Sequence, residues 1–143
     1  MARFYLDSSV LVSIVLGDSR GRRALAILGT HDLCTSELSA VESQSGLSAQ
    51  AGGVPAGLPA AEKALNAILN RMHTIQLTSA ILVQARILVR RHRSGIGLRT
   101  LDALHIASCV EVQAQLGPVG YVTGDRRQHD AFLAEGFSGV LMP

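Results

Sequence analysis

Two aspartates in the sequence follow short apolar runs that are typical of buried strands. Asp7 comes directly after Phe4-Tyr5-Leu6, and Asp125 comes shortly after Tyr121-Val122-Thr123, with a helical pattern next in each case. The carboxyl ends of parallel strands meet at one edge of a sheet, which is where open α/β sheets bind ligands. Both aspartates could therefore do chemistry together, although either could instead be only a helix cap.

Two further acids lie on predicted helices. Asp102 is in the first turn of a helix that is apolar on nearly every side, and a buried carboxylate needs a partner. A favourable interaction with the helix dipole is the alternative for Asp102. Glu42 lies about 40° from Leu38 on a helical wheel, at the border of the core-facing stripe, whereas Glu37 points about 100° away. Glu42 is therefore the better candidate of the two glutamates.

These four carboxylates would repel one another in a shared pocket, since no Lys, Arg or His is interleaved with them at a fixed spacing. We therefore expect cations to neutralise them, and ligand sets made only of oxygen suit Mg²⁺ or Mn²⁺ better than Zn²⁺. A metal pair held by carboxylates is suited to phosphodiester hydrolysis, because one ion generates hydroxide and the other stabilises the leaving oxygen. The acids concerned are Asp7, Glu42, Asp102 and Asp125.

Short apolar runs alternate with helical patterns along the chain, and this alternation predicts the scaffold. Strands are predicted at residues 4–6, 32–35, 74–77, 119–123 and 139–141. Helices are predicted from residue 8 or 9 through 15, then at about 20–28, from 37, and at 60–71, 79–92, 101–116 and 126–135. The alternation predicts an α/β fold, a three-layer α/β/α sandwich with a short, mostly parallel central sheet, in a single domain of residues 1–143.

Local signals add detail to this scaffold. Ser8 or Ser9 could cap the first helix, and Ser36 could cap the helix that begins at Glu37. The glycine-rich segment 51–59 is expected to be a loop between helices rather than an interdomain linker.

Composition excludes several classes of protein. With 143 residues, 48% of them hydrophobic and 17% charged, the chain should bury a core without disulfides, and Cys34 and Cys109 are expected to be inert core thiols. The first apolar run contains an acid and offers no cleavage site, so we expect no signal peptide, no membrane span and a cytoplasmic location. Aromatic residues make up only 3%, which argues against binding nucleic acid by base stacking.

Arginine dominates the basic residues, since Lys63 is the one lysine among thirteen. Arg suits phosphate recognition better than Lys does, and several arginines cluster in the ranges 20–23, 86–99 and 126–127. An Arg-rich helix face is also typical of an ordinary solvated surface, so this feature alone does not decide the function.

Four segments carry a resemblance to a known family. They run from Phe4 to Val12, from Thr35 to Glu42, from Leu98 to Ala107 and from Val122 to Arg127. With these segments the sequence resembles the PIN-domain ribonucleases, in particular the VapC-type toxins of bacterial toxin–antitoxin pairs. The match covers essentially the whole chain, and its most specific part runs from Arg99 to Ala107.

The resemblance implies a PIN fold and endonucleolytic cleavage of single-stranded or structured RNA by a Mg²⁺- or Mn²⁺-binding acidic tetrad. It also implies a cognate antitoxin that blocks the site and a tendency to form homodimers. The tetrad would consist of Asp7, Glu42, Asp102 and Asp125.

Further residues receive roles from the resemblance or from their position. Ser8 and Thr123 look like the hydroxyls that orient tetrad carboxylates, with a cap and a strand residue as the alternatives. Asp130 is a second acid near the fourth tetrad position and could assist or replace Asp125. The RNA backbone could be held by Arg99, Arg126 and Arg127.

One histidine close to Asp102 in the sequence could be a metal ligand or a general base. His105 follows Asp102 by three residues on the same helix, but we expect a buried histidine satisfied by a hydrogen bond rather than a metal ligand or general base.

Two other functions remain open at this point. An Asp-based phosphotransfer domain also has an Asp after its first strand, but it normally needs a Lys near the phosphate. The only lysine here is Lys63, and Asp7 has no second Asp two residues later. A non-catalytic PIN-fold protein that binds RNA or a partner is the other alternative.

Overall fold

A sheet of parallel strands forms the centre of the protein. The computed structural model describes residues 2–50, 57–137, 140, 141 and 143. The strands are Arg3–Leu6 (β1), Asp32–Ser36 (β2), His73–Ile75 (β3), Gly120–Val122 (β4) and Val140–Leu141 (β5). Their order in the sheet is β3-β2-β1-β4-β5. Because Leu6 pairs with Val122, Asp7 and Thr123 leave the sheet side by side.

Helices connect the strands and cover both faces of the sheet. In the described residues they are Ser8–Leu16 (α1), Ser19–Leu28 (α2), Glu37–Gln50 (α3), Gly57–Leu69 (α4), Ser79–His92 (α5), Thr100–Leu116 (α6) and Arg126–Ala134 (α7). No helix in this described part of the chain is both long enough and apolar enough to cross a bilayer.

The two faces of the sheet build separate cores, because successive side chains of a strand point to opposite sides. Tyr5, Cys34 and Tyr121 face one way and pack with buried residues of α5, α6 and α7. Leu6 and Val122 face the other way and pack with buried residues of α1 and α2. The predicted three-layer α/β/α sandwich with a parallel sheet is therefore confirmed.

Helix α6 is buried on most sides, as its apolar sequence predicts. Eight of its residues are buried, among them Asp102, His105 and Cys109. Cys34 is buried as well, and burial raises the pKa of its thiol to about 12. Both cysteines are free core thiols, as expected.

Some predicted boundaries and caps differ from the structure. The carboxylate of Asp7, rather than Ser8 or Ser9, caps α1 by accepting a hydrogen bond from the backbone N–H of Val10. The hydroxyl of Ser36 has no hydrogen-bond partner among the described residues, so it does not cap α3. Residues 57–59 begin α4 instead of a loop, because the helix starts three residues earlier than predicted. Residues 51–56 of the glycine-rich segment and residue 139 lie outside the described residues.

Candidate active site

Asp7 is the most deeply buried of the four candidate acids, with 1% of its surface exposed. Its Oδ1 accepts hydrogen bonds from the Ser9 hydroxyl at 2.7 Å and from the Val10 N–H at 3.1 Å. Its Oδ2 accepts a hydrogen bond from the Thr123 hydroxyl at 2.8 Å. Burial raises the pKa of Asp7, although His105 and these hydrogen bonds act in the opposite direction. The side chain is therefore held in one orientation at the end of β1.

Gln128 connects Asp7 to the next acid. This buried side chain lies on α7, and its Nε2 donates a hydrogen bond to Asp102 Oδ1 at 3.1 Å. Its Oε1 accepts a hydrogen bond from the Tyr121 hydroxyl at 2.5 Å and lies 3.4 Å from the Thr123 hydroxyl, which also contacts Asp7. Asp7 and Asp102, which are 95 positions apart in the chain, therefore belong to one buried polar network.

Asp102 lies in the first turn of α6, and its position there explains how a carboxylate can be buried. Its Oδ2 accepts a hydrogen bond at 3.0 Å from the backbone N–H of Arg99, the residue that precedes the helix. The Arg99 Nε lies 3.5 Å from the same oxygen. The first turn of the helix and one arginine thus satisfy an acid that is only 4% exposed.

Asp125 is half-buried and lies between two arginines. Its Oδ1 caps α7 by accepting a hydrogen bond from the backbone N–H of Arg127 at 2.8 Å. Its Oδ2 lies 3.4 Å from Nη2 of both Arg99 and Arg127. The Thr123 hydroxyl also accepts a hydrogen bond from the Asp125 N–H at 2.9 Å. Arg99 therefore contacts two acids at once, Asp102 and Asp125.

Glu42 reaches the same edge of the sheet from α3. Its Oε1 accepts a hydrogen bond from the Ser8 hydroxyl at 3.2 Å and forms a short hydrogen bond with His105 Nε2. Burial alone would raise the pKa of Glu42, but the hydrogen bonds and charge of His105, with smaller contributions from Ser8 and Arg99, lower it. Glu42 is therefore held as a carboxylate.

His105 is buried and hydrogen-bonded, as expected, but one of its partners is a candidate acid. Its Nδ1 lies 2.9 Å from the Tyr5 hydroxyl, and its Nε2 contacts Glu42. A carboxylate can only accept, so Nε2 carries the proton, and in the neutral ring Nδ1 then accepts from Tyr5. Burial raises the pKa of Tyr5, which keeps its hydroxyl protonated as the donor.

Side chains of the protein itself compensate three of the acids, Asp102 and Asp125 through arginines and Glu42 through the hydrogen bond from His105. Arg99 contacts Asp102 and Asp125, Arg127 contacts Asp125, and His105 contacts Glu42. The sequence predicted cations around the acids, but the spacing of its residues did not reveal that the fold itself supplies some of them as arginines. Within the described ranges, no group of three or more His, Cys, Asp or Glu side chains is arranged so that it could hold a metal ion. The donor chemistry, oxygen atoms of carboxylates, still suits a hard dication such as Mg²⁺ or Mn²⁺.

This arrangement of acids at the carboxyl ends of β1 and β4 can be compared with known proteins. The model of the PIN domain family matches residues 4–132 of the sequence. The chain belongs to the PIN domain family. No curated protein matches the sequence at a significant level.

Solved structures similar to this PIN domain include several toxins. A toxin–antitoxin complex from Klebsiella pneumoniae has a TM-score of 0.64 and 19% identity, and the alignment covers 96% of this chain and 95% of that one. VapC20 of Mycobacterium tuberculosis, a sarcin–ricin loop cleaving toxin, has a TM-score of 0.66 and 21% identity over 98% and 99% of the two chains. VapBC2 of Rickettsia felis, bound to a promoter DNA fragment, has a TM-score of 0.62 and 16% identity, and the alignment covers 90% of this chain and 92% of that one. At these identities the likeness shows a shared fold.

The structure of the PIN domain also shows which of the predicted accessory residues lie beside the acids. Thr123 contacts Asp7 and Ser8 contacts Glu42, so both lie beside acids as predicted. Arg126 and Asp130 lie elsewhere, since they pair with each other along α7, where the Arg126 side chain is 77% exposed.

The sequence did not predict the contacts of two further residues with the acids. Ser9 donates to Asp7, and Gln128 donates to Asp102. Ser9 follows Asp7 by two residues, which is a common spacing for local side-chain hydrogen bonds and could have indicated its role. Gln128 gives no such signal, because its partners come from β4 and α6 and meet only in the folded chain.

Proposed function

We propose that this PIN domain is a metal-dependent endoribonuclease. The metal-binding and catalytic residues in this proposal are Asp7, Glu42, Asp102 and Asp125. The observation that carries it is the buried network through Thr123 and Gln128, which joins acids from β1 and α6 at the edge where Glu42 and Asp125 also lie.

The residues of the chain have distinct tasks in this proposal. When bound, Mg²⁺ or Mn²⁺ supplies the hydroxide nucleophile and stabilises the leaving oxygen. Ser9 and Thr123 fix the two oxygens of Asp7, and Gln128 fixes Oδ1 of Asp102, so these ligands need little reorganisation. Glu42, kept ionised by His105 and Ser8, is available as a proton acceptor at the same edge.

Arginines support RNA as the substrate in this proposal. Arg99 and Arg127 lie beside Asp125 at the mouth of the site, and the Arg99 side chain is 55% exposed. Guanidinium groups bind phosphate oxygens well, so these two residues could hold the RNA backbone. Arg126 is assigned a more distant contact with the backbone, because its side chain points along the exposed face of α7.

The biological setting is part of the same proposal. The similar structures include a toxin–antitoxin complex, a VapBC2 complex and VapC20, a sarcin–ricin loop cleaving toxin. We therefore assign this protein the role of the toxin of a toxin–antitoxin pair in the cytoplasm. A cognate antitoxin would cover the acidic edge, and the toxin would form a homodimer.

An RNA digestion with controlled metal content tests the nuclease proposal. Wild-type protein should cut RNA internally in Mn²⁺, stop when EDTA is added, and resume when Mn²⁺ is restored in excess. Asp102→Asn should lose this activity, whereas Asp130→Asn should keep it, because Asp130 pairs with Arg126 away from the acids. A shift of RNA mobility without cutting would instead support a non-catalytic binding protein. Intact, unbound RNA with transfer of phosphate to Asp7 would support the phosphotransfer alternative.

A further inference from the structure

A polar groove continues from the proposed active site along α1. It has a volume of about 430 Å³, and its walls include Ser8, Ser9, Glu42, Gly46, Gln50 and Arg20. Ser8 and Ser9 also hold two of the candidate acids, so the groove and the site share a border. Arg20 belongs to α2 and is the one residue of this wall with a permanent positive charge.

Two glycines determine where Arg20 lies. A Cβ added to Gly124 would lie 2.6 Å from Arg20 Nη1, 2.7 Å from Cζ and 3.0 Å from Nε, so the guanidinium rests directly on the backbone of Gly124. A Cβ added to Gly21 would lie 2.1 Å from the carbonyl oxygen of Ser13, so α2 approaches α1 as closely as it does only because residue 21 is glycine. Together they bring Arg20 across α1 to the β4–α7 connection.

This position is close to the acids. The N–H of Gly124 donates a hydrogen bond to the Ser9 hydroxyl at 3.1 Å, and that hydroxyl donates to Asp7. Gly124 and Ser9 thus connect Arg20 to the most buried acid.

Arg20 is partly buried, and its guanidinium remains available to a ligand. No ion pair or side-chain hydrogen bond of Arg20 is found among the residues that the structure describes. The nearest acid in sequence, Asp18, lines the same groove and caps α2, where it accepts a hydrogen bond from the Gly21 N–H at 2.8 Å. The hydrogen bond from Gly21 and the charge of Arg20 help to lower the pKa of Asp18, but the described residues show no direct ion pair between the two side chains. A guanidinium that is positioned by backbone contacts and keeps its donors free suits a phosphate group, which accepts two parallel hydrogen bonds.

We propose that Arg20 binds a phosphate of the RNA strand adjacent to the phosphate that is cut, with Gly124 as the residue that positions it. The inference rests on the proposed nuclease function and adds a substrate-binding residue to it. The strand would run from the acids into the groove along α1, and Arg20 would fix its register relative to Asp7.

The test measures RNA affinity in the Asp7→Asn background, which keeps the RNA uncut. The probe is a short fluorescein-labelled single-stranded RNA, and anisotropy gives the dissociation constant at several salt concentrations. Adding Arg20→Gln should weaken binding about tenfold, the size of one lost charge-assisted hydrogen bond. It should also reduce the slope of log affinity against log salt by about 0.7, the loss expected for one phosphate contact to a single strand.

Gly124→Ala distinguishes positioning from charge. The added methyl group meets the flexible end of Arg20, so the guanidinium moves aside while the fold and the net charge stay the same. This variant should weaken RNA binding in the parent background and have no further effect once Arg20→Gln is present. Its midpoint of thermal unfolding should match that of the parent.

Arg71→Gln is the matched control, because it removes the same charge from an exposed residue just before β3, at the opposite edge of the sheet. It should leave RNA affinity nearly unchanged. Equal effects of Arg20→Gln and Arg71→Gln, with RNA cleavage intact in the wild type, would overturn the inference and leave the nuclease proposal standing. A wild-type protein that neither binds nor cuts RNA would overturn both.

Discussion

Glu42 and His105, which are 63 positions apart, share a short hydrogen bond between the carboxylate Oε1 and the ring Nε2. On the other side of the ring, the Tyr5 hydroxyl lies 2.9 Å from Nδ1. Tyr5 in turn stacks on Tyr121 at a centroid distance of 5.5 Å in the core under the sheet. The orientation of a candidate catalytic acid is thus connected to the packing of the core through one histidine.

Tyr5→Phe tests the contribution of the Tyr5 hydroxyl to this network. The change removes the donor to Nδ1 and leaves a buried ring nitrogen unpaired, so the free energy of unfolding should fall by about 1 to 3 kcal/mol in urea titrations. Nitrogen NMR of the imidazole should show the proton on Nε2 in the wild type and also in the variant, because Glu42 accepts it in both proteins. Tyr121→Phe is the control, because its hydroxyl serves Gln128 rather than His105. A wild-type ring with its proton on Nδ1 alone would contradict the assigned network.

Asp7→Asn should keep the fold and lose cleavage. Asn caps a helix as well as Asp does, and Thr123, which would lose its acceptor, can donate to Gln128 Oε1 instead. The free energy of unfolding should therefore equal or exceed that of the wild type. Asp7→Ala, which also lacks the cap, should be less stable than Asp7→Asn by about 1 to 2 kcal/mol. Equal stability of these two variants would contradict the capping role.

The pH dependence of the stability of the wild type and of Asp7→Asn follows from the raised pKa of Asp7. Since burial raises that pKa in the folded state, the charged carboxylate destabilises the fold at neutral pH, and this cost disappears as the pH falls through the raised pKa towards the ordinary value of 3.8. The stability advantage of Asp7→Asn should therefore be largest near neutral pH and shrink on acidification. An advantage that grows as the pH falls would show that the pKa of Asp7 is lowered instead.

Gln128→Ala should destabilise the protein although no candidate acid is changed. The substitution leaves the Tyr121 hydroxyl and Asp102 Oδ1 without their buried partner, at a cost of about 2 to 3 kcal/mol in the free energy of unfolding. Gln115→Ala is the matched control, because Gln115 is exposed on α6 and its loss should change stability by less than about 0.5 kcal/mol. Similar effects of the two substitutions would mean that the buried network contributes little.

Arg99→Gln should strengthen metal binding. Arg99 neutralises Asp102 and Asp125 in the absence of metal, so a dication must compete with it. Because Arg99 is largely exposed, the gain in Mn²⁺ affinity should reach no more than about fivefold, measured from the electron paramagnetic resonance signal of free Mn²⁺. Arg91→Gln, which removes an arginine that pairs with Glu135 instead, serves as the control. Weaker Mn²⁺ binding in Arg99→Gln would show that Arg99 supports the metal site.

The sequence predicted the scaffold well because strand and helix signals alternate strongly along this chain. Apolar runs that end in an acid located Asp7 and Asp125, and the apolar surroundings of Asp102 indicated its burial. Parallel pairing of β1 and β4 then places the first two side by side. These features depend on local pattern and on the topology that the pattern allows.

The contacts of the acids with His105 and Arg99 could not be predicted from the sequence, because they depend on tertiary packing. Nothing in the spacing shows that His105 on α6 meets Glu42 on α3, or that Arg99 reaches Asp125. Arg20 appeared only as a member of a basic cluster, since its contact with Gly124 joins α2 to the turn after β4. The assignment of a single domain and the roles of the acids remain predictions.

Equilibrium binding of Mn²⁺ tests the central proposal most directly, because it asks whether the four acids form one site. The wild type and the single variants Asp7→Asn, Glu42→Gln, Asp102→Asn and Asp125→Asn would be titrated, with Asp130→Asn as the control. Each of the four substitutions should weaken Mn²⁺ binding by about tenfold or more, the range seen when the environment of a metal site is disturbed, while the control binds like the wild type. Wild-type affinity in all four variants, or no Mn²⁺ binding by the wild type, would contradict the account.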